Sequence, residues 1–157
     1  MPRALRLLAL VPLLAWPSLV AAAEPGPEVR VFKTATCGCC VAWVEHLEAA
    51  GFRVRAEDVA DLAEVKRRHG VPAKLQACHT AVVEGYVVEG HVPASDVKRL
   101  LAERPPVAGI AVPGMPHGSP GMESPTPEPY AVIGFDGDGP AGVFARHPAA
   151  PPTPAGP

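Results

Sequence analysis

The spacing of hydrophobic and polar residues changes several times along the chain, and each change marks an element. Glu28 to Lys33 carries Val29, Val31 and Phe32 and reads as a strand. From Cys40 the period lengthens: Cys40, Val44 and Leu47 fall at i, i+4 and i+7 with Glu45 and Glu48 off that stripe. This predicts a helix that starts around residues 37–40 and stops at Gly51. Phe52-Arg53-Val54-Arg55-Ala56 alternates and predicts a second strand. Val59 to Arg68 follows as a second helix, with Leu62 and Val65 inward and Gly70 as its stop. Val71-Pro72 opens a connection that runs to Ala77. Thr80-Ala81-Val82-Val83, the turn Glu84-Gly85 and Tyr86-Val87-Val88 form a hairpin. Pro93 begins a third helix whose Val97, Leu100 and Leu101 face inward, and Pro105-Pro106 closes it. The order βαβαββα implies a layered α/β domain with a mixed sheet.

Beyond Pro106 the composition shifts to Gly and Pro. Residues 108–129 read as an irregular Met-containing loop, too long for a mere connector, and such loops tend to carry function. Tyr130 to Phe135 and Gly142 to Ala145 flank Asp136-Gly137-Asp138-Gly139, which predicts a second hairpin over 130–146. Residues 148–157 are a Pro/Ala tail with the composition of a disordered segment.

The N-terminus carries Arg3 and Arg6, then an apolar run from Leu7 to Val20, then Ala21-Ala22-Ala23. That is the layout of a secretory signal over residues 1–23, cleaved after Ala23. The run is shorter than the ~20 residues a spanning helix needs, Pro12 and Pro17 interrupt it, and no other segment of the chain is apolar enough to span. The expected organisation is a signal peptide, one domain over 24–147 and the tail, in a protein exported to a bacterial periplasm. Cleavage removes two of the 14 Lys+Arg and none of the 16 Asp+Glu, leaving 12 basic against 16 acidic residues, a formal charge of −4. With no basic stripe and few, scattered aromatics, nucleic acid is excluded as a partner.

The chemistry concentrates in Cys37-Gly38-Cys39-Cys40. Four cysteines in an oxidising compartment ordinarily mean two disulfides with three possible pairings. Here three thiols crowd into four residues and only Cys78 is left as a distant partner. The cluster stands at a predicted helix N-terminus, where backbone N–H groups and the helix dipole favour anionic sulfur; depressed thiol pKa values and high metal affinity are therefore expected.

A strand leading into Cys-x-x-Cys at a helix start is the signature of a thioredoxin-like fold, and the element order fits. In that fold the segment entering the hairpin passes beside the helix start, usually with a cis-proline. Cys78-His79-Thr80 occupies that place, with His79 where the proline would stand, and adds a thiol and an imidazole to the first three sulfurs. Apart from the initiator, the methionines are Met115 and Met122, both in the polar Gly/Pro loop with His117 between them. They either fill gaps over the core or offer thioethers to a soft metal. Thiolate and thioether together select Cu(I), whereas zinc sites use Cys, His and carboxylate without Met.

Four stretches carry a family resemblance: the run from Thr36 through Cys37-Gly38-Cys39-Cys40 to Leu47, the run from Cys78-His79-Thr80 to Tyr86, the segment Glu89-Gly90-His91-Val92-Pro93-Ala94, and Val112-Pro113-Gly114-Met115-Pro116. In these motifs and their order the chain resembles the bacterial CopG-type copper-resistance proteins, from about Val29 to Arg146. The resemblance implies a periplasmic thioredoxin-like protein that holds copper as Cu(I), more than one ion in a thiolate-bridged cluster, and contributes to copper tolerance. It implies Cys37, Cys39, Cys40 and Cys78 as ligands, with Met115 and Met122 as weaker ones. His79, beside Cys78, is a further candidate ligand. Implied partners are copper ions and other periplasmic copper-handling proteins. A metal-binding role is the centre of this reading, and cycling between Cu(I) and Cu(II) as an oxidoreductase is its extension.

Among the other histidines, His91 is a candidate for the site or for orienting a ligand. His46 reads as an exposed stacking partner, His69 as a favourable charge at a helix C-terminus and His147 as solvated. Trp43 reads as packing for the first helix. Two rival readings remain: a thiol–disulfide oxidoreductase using Cys37 as nucleophile and Cys40 as resolving thiol, and a passive metal store or zinc-binding structural module. The first leaves Cys39, Cys78 and the methionine loop without a role.

Overall fold

The computed structural model describes residues 26–149; the expected signal over 1–23 and the tail beyond residue 149 lie outside them. The elements are β1 (Glu28–Lys33), α1 (Gly38–Ala49), β2 (Arg53–Asp58), α2 (Leu62–Arg68), a 3-10 turn (Ala73–Leu75), β3 (Thr80–Val83), β4 (Tyr86–Glu89), α3 (Ala94–Glu103), β5 (Gly109–Ala111), β6 (Tyr130–Asp136) and β7 (Gly139–His147). They build one seven-stranded mixed sheet in the order β2-β1-β3-β4-β5-β6-β7. β1 runs parallel to β2 and β4 parallel to β5, and the other pairs are antiparallel. The expected α/β class and mixed sheet are therefore present. Among the described residues no helix is long and apolar enough to cross a membrane.

Strand periodicity sorts the core into two layers. Val29, Val31, Ala81, Val83, Val88 and Ile110 pack with Trp43 and Leu47 of α1 and with Val97 and Leu100 of α3. The alternate positions Val87 and Ala111, with Phe135, pack with Val71 and Leu75 of the connection. In the β3–β4 turn Glu84 and Gly85 have φ of 45° and 88°, the double positive φ of a two-residue hairpin turn.

Two expectations need correction. The 108–129 loop is not irregular throughout: Gly109–Ala111 is a strand, because β4 and β6 hydrogen-bond it on both sides. In α2 the buried residue is Lys66, while Leu62 and Val65 are only half-buried. The Lys66 ammonium meets Glu89 of β4 at 2.5 Å and Thr80 Oγ1 at 3.1 Å.

His46 is not an exposed stacking residue. Its Nε2 accepts the backbone N–H of Ala94 at 3.0 Å and so caps the first turn of α3, where N–H groups lack intrahelical partners. Burial holds its pKa below the usual value, with Glu123 opposing. Only neutral His46 can accept this bond. Its contribution is therefore fully present above the unfolded value of about 6.5 and is lost as pH falls from there through the lower folded value. His46→Ala is expected to cost about 1 kcal/mol in denaturant unfolding at pH 8, and the gap from wild type should narrow at acidic pH. An undiminished gap at low pH would count against the capping role. His147 is likewise tied down rather than solvated: its Nε2 lies 2.6 Å from Asp96 Oδ2 and its ring stacks on Tyr130. His69 follows α2 as expected and stacks on Phe32.

Candidate metal centre

Cys37 is the N-cap of α1, and Cys39 and Cys40 lie in its first turn. Buried Trp43, one turn on, anchors the helix by donating its indole N–H to the Val92 carbonyl at 2.8 Å. That bond ties α1 to the segment between β4 and α3, which carries His91. Thr80 pairs with Glu89 across the β3–β4 hairpin, so the residues just outside that pair, Cys78-His79 on one side and Gly90-His91 on the other, end side by side at the helix start. Gly90 makes the approach possible. Its φ is +72°, and a Cβ there would come within 2.5 Å of Ala77 Cβ and 2.7 Å of the Val112 carbonyl oxygen.

Two overlapping groups of donors result. Cys37, Cys39, Cys40 and Cys78 place their sulfurs within 4.8 Å of one another, and so do the donor atoms of Cys78, His79 and His91. Cys37 and Cys40 are joined as a disulfide with a Cα–Cα distance of 5.3 Å, while Cys39 and Cys78 are free. Cys37 Sγ lies 3.6 Å from Cys39 Sγ. Cys40 Sγ lies 3.8 Å from the Cys78 carbonyl oxygen.

Cys78 Sγ is 2.9 Å from His91 Nε2 and 3.3 Å from His79 Nδ1. The His91 Nδ1 lies 2.7 Å from the Pro120 carbonyl oxygen. A carbonyl only accepts, so Nδ1 carries the proton and Nε2 presents its lone pair to the sulfur. His79 is fully buried, with Trp43 tilted against its ring at 4.3 Å and the His91 ring edge-on at 5.1 Å. Burial pushes both imidazoles toward the neutral form that ligates metals. The depressed thiol pKa expected at the helix start does not extend to Cys78: burial, then the neighbouring Cys39 thiol, push it up to about 12. A metal ion bound there would have to displace the proton.

Beneath the cluster, Glu89 Oε1 accepts the N–H of Ala77 at 2.6 Å and Oε2 accepts the Thr80 hydroxyl at 2.7 Å, so one buried carboxylate grips both sides of Cys78-His79. The Gly/Pro loop closes the other side. Gly121 has φ +82°, and a Cβ there would meet Cys39 O at 2.7 Å and Trp43 N at 2.9 Å, so only glycine lets the loop lie on the start of α1. Met122, next in the chain, is half-buried. Met115 is half-exposed and lines a groove with Val112, Pro116 and Tyr130. His117 is exposed.

The sequence motifs thus lead to one place for the four cysteines, His79 and His91, and to the adjoining loop for the two methionines. Two residues that shape the site, Lys66 and Glu89, are not among the candidate ligands of the sequence, and Glu89 enters there only as the start of the Glu89-Gly90-His91 motif. Glu89 is the one charge in the apolar strand Tyr86–Glu89, whereas Lys66 sits among Glu64, Arg67 and Arg68 and gives no local sign of burial.

Fold and site together define a mixed-sheet α/β domain with a cysteine- and histidine-rich candidate metal centre at a helix N-terminus. Comparison with known proteins gives this class a family. The family model described as "Protein of unknown function, DUF411" matches residues 75–122. A solved structure titled "Copper resistance protein copG- Form 1" is 48% identical, with a TM-score of 0.75, covering 80% of this chain and 100% of that one. A second, titled "Copper resistance protein copG- Form 2", is also 48% identical, with a TM-score of 0.74 and coverage of 78% and 99%. Comparison with curated proteins finds no match. The chain belongs to the family of the CopG copper resistance proteins.

Proposed function

We propose that this is a periplasmic copper-binding protein of thioredoxin-like fold that contributes to copper resistance by holding Cu(I) on Cys37, Cys39, Cys40 and Cys78. The observation that carries the reading is the gathering of four sulfurs within 4.8 Å at the start of α1 in a chain with copper-resistance relatives. Thiolates together with the thioethers of the adjoining loop favour Cu(I) over zinc, and thiolates bridge metals, so four cysteine sulfurs from two segments suit several ions rather than one. Opening the Cys37–Cys40 disulfide takes two electrons and two protons from a periplasmic thiol reductant and supplies the two further sulfurs. His79 adds a nitrogen at the edge of the group. Met122, beside the glycine that seats the loop on α1, and the more exposed Met115 are the thioethers of the loop that closes over the copper.

The test is elemental analysis of mature protein from a copper-supplemented periplasm, with thiols counted before and after metal removal. Several coppers per chain, with four thiols reacting only after stripping, are expected. Cys39→Ser, which leaves the Cys37/Cys40 pair intact, should hold fewer coppers; full loading of that variant would sink the cluster. The Cys37–Cys40 disulfide favours a second reading, a thiol–disulfide oxidoreductase. Metal-free protein from the same preparation, with reductase activity abolished by Cys37→Ala, would put that reading first.

A further inference from the structure

We propose that the proline-rich tail, residues 150–157, docks back on its own domain as a polyproline strand, in a groove beside Met115, and screens that methionine from other molecules. The groove, of about 480 Å³, is lined by Val112, Pro113, Met115, Pro129, Tyr130 and Ile133 among others. A second groove, of about 530 Å³, shares Pro129, Tyr130 and Ala131 with it and continues to His147 and Pro148, next to the last described residue. The two make one track from the end of β7 to the methionine loop.

This surface is apolar and uncovered. Met115 is 50% exposed, and Val143, the cross-strand partner of the groove residue Ile133, is 48% exposed. They are two of the three large hydrophobic residues that stand exposed among the described residues. A groove lined by an aromatic ring and apolar side chains is the setting in which proline-rich segments bind. The tail has the matching pattern, because Pro148, Pro151, Pro154 and Pro157 recur at every third residue. A polyproline helix has three residues per turn, so the four rings fall on one edge. No charge lies between Pro148 and Pro157, so docking on an apolar track desolvates none. Proline rings also hold the chain near the bound conformation in advance, which lowers the entropy lost on docking.

The path is short. His147 pairs with Tyr130, the first residue of β6, and Ile133 pairs with Ala111, the last residue of β5. The ends of β7 and β5 therefore lie at the same end of the sheet, two strand spacings or about 10 Å apart. At about 3.1 Å per residue, three or four residues of polyproline cover that distance, which brings Pro151 and Pro154 within reach of Tyr130 and Met115. Tethering makes a weak contact sufficient. A short linker supplies an effective concentration on the order of millimolar, so a contact with a Kd of about 1 mM is closed roughly half the time.

The test uses the metal-free mature chain, in which tail substitutions leave residues 26–149 unchanged. In dilute wild type, nuclear Overhauser contacts from tail prolines to the Tyr130 ring and the Met115 methyl are expected. They should vanish in Pro151→Ala/Pro154→Ala, which takes two rings from the edge, and persist in Pro152→Ala, which takes one from outside it. Oxidation of Met115 by hydrogen peroxide, read by mass spectrometry, should run about twofold faster in the double variant and at the wild-type rate in Pro152→Ala. Absent contacts in wild type, or equal oxidation in wild type and the double variant, would overturn the proposal. So would contacts that grow with protein concentration and cross between differently labelled copies, since the occupant would then be a second chain. Copper enters none of these readouts, so failure of the copper reading and failure of the docked tail are told apart.

Discussion

Replacing Glu89 with alanine is expected to destabilise the protein by about 3–5 kcal/mol, the cost of leaving a buried charge without its partner. Glu89 is fully buried and Lys66 nearly so, and their ion pair at 2.5 Å is the contact that makes both tolerable inside the sheet layer. Burial pushes the Glu89 carboxyl above its usual range, and the Lys66 ammonium beside it opposes that shift. The carboxylate has two further tasks. It accepts the Ala77 N–H and the Thr80 hydroxyl, so its removal orphans a half-buried backbone donor next to Cys78 as well as the buried lysine.

Two companion variants separate charge from hydrogen bonding. Glu89→Gln keeps the shape and an acceptor for Ala77, and should cost about 1–3 kcal/mol. The double variant Lys66→Met/Glu89→Leu removes both charges, and apolar replacement of a buried pair is often neutral, so it should recover much of the stability lost in Glu89→Ala. It does not restore the acceptor for Ala77, whose amide should exchange faster than in wild type even where the unfolding midpoints agree. Denaturant unfolding of the three variants checks the order. A Glu89→Ala variant within 1 kcal/mol of wild type would mean that Lys66 finds water, and would end the claim that this pair anchors the Cys78 segment.

What the sequence could and could not disclose follows from which interactions are local. The strand before the cysteines, the helix from Cys40 to Leu47 with its stop near Gly51, and the hairpin around Glu84-Gly85 are written in nearest-neighbour patterns, and the structure has them within a few residues. β5 is not legible in this way. Gly109-Ile110-Ala111 is too short to alternate, and it becomes a strand because β4 and β6 hydrogen-bond to it on both sides. Lys66 was hidden for a related reason, since a charge on a helix ordinarily faces water and only the distant Glu89 makes its burial tolerable. At the site, Cys37, Cys39 and Cys40 announce themselves by crowding. Cys78 and His79 followed from the hairpin's passage beside the helix start. His91 was weaker, because its place depends on the positive φ of Gly90 and on a carbonyl 29 residues away, at Pro120.

Cys78→Ser is expected to do more damage to metal binding than any other single cysteine replacement, because Cys78 is the one residue common to both donor groups. In the reduced protein it removes the only cysteine sulfur of the group that does not come from the start of α1, so a bridged cluster loses its second thiolate attachment. It also removes the only sulfur beside His79 and His91 within the Cys78–His79–His91 group. Cys39→Ser touches only the first group. Losing a ligand should weaken binding by at least the 10–100-fold seen when an outer hydrogen-bond partner of a ligand is removed. Copper per chain in Cys78→Ser should therefore fall below that of Cys39→Ser. The fold should survive: serine is smaller by little, and the Glu89 contacts on either side are made by Ala77 and Thr80, not by the thiol. The Cys37–Cys40 disulfide should also form as in wild type, since both partners lie at the start of α1. Elemental analysis, a thiol count and a thermal melt on the two serine variants decide the matter. Equal copper in Cys78→Ser and Cys39→Ser would place the metal on the helix cysteines alone, and the hairpin segment would then be a neighbour of the site rather than part of it.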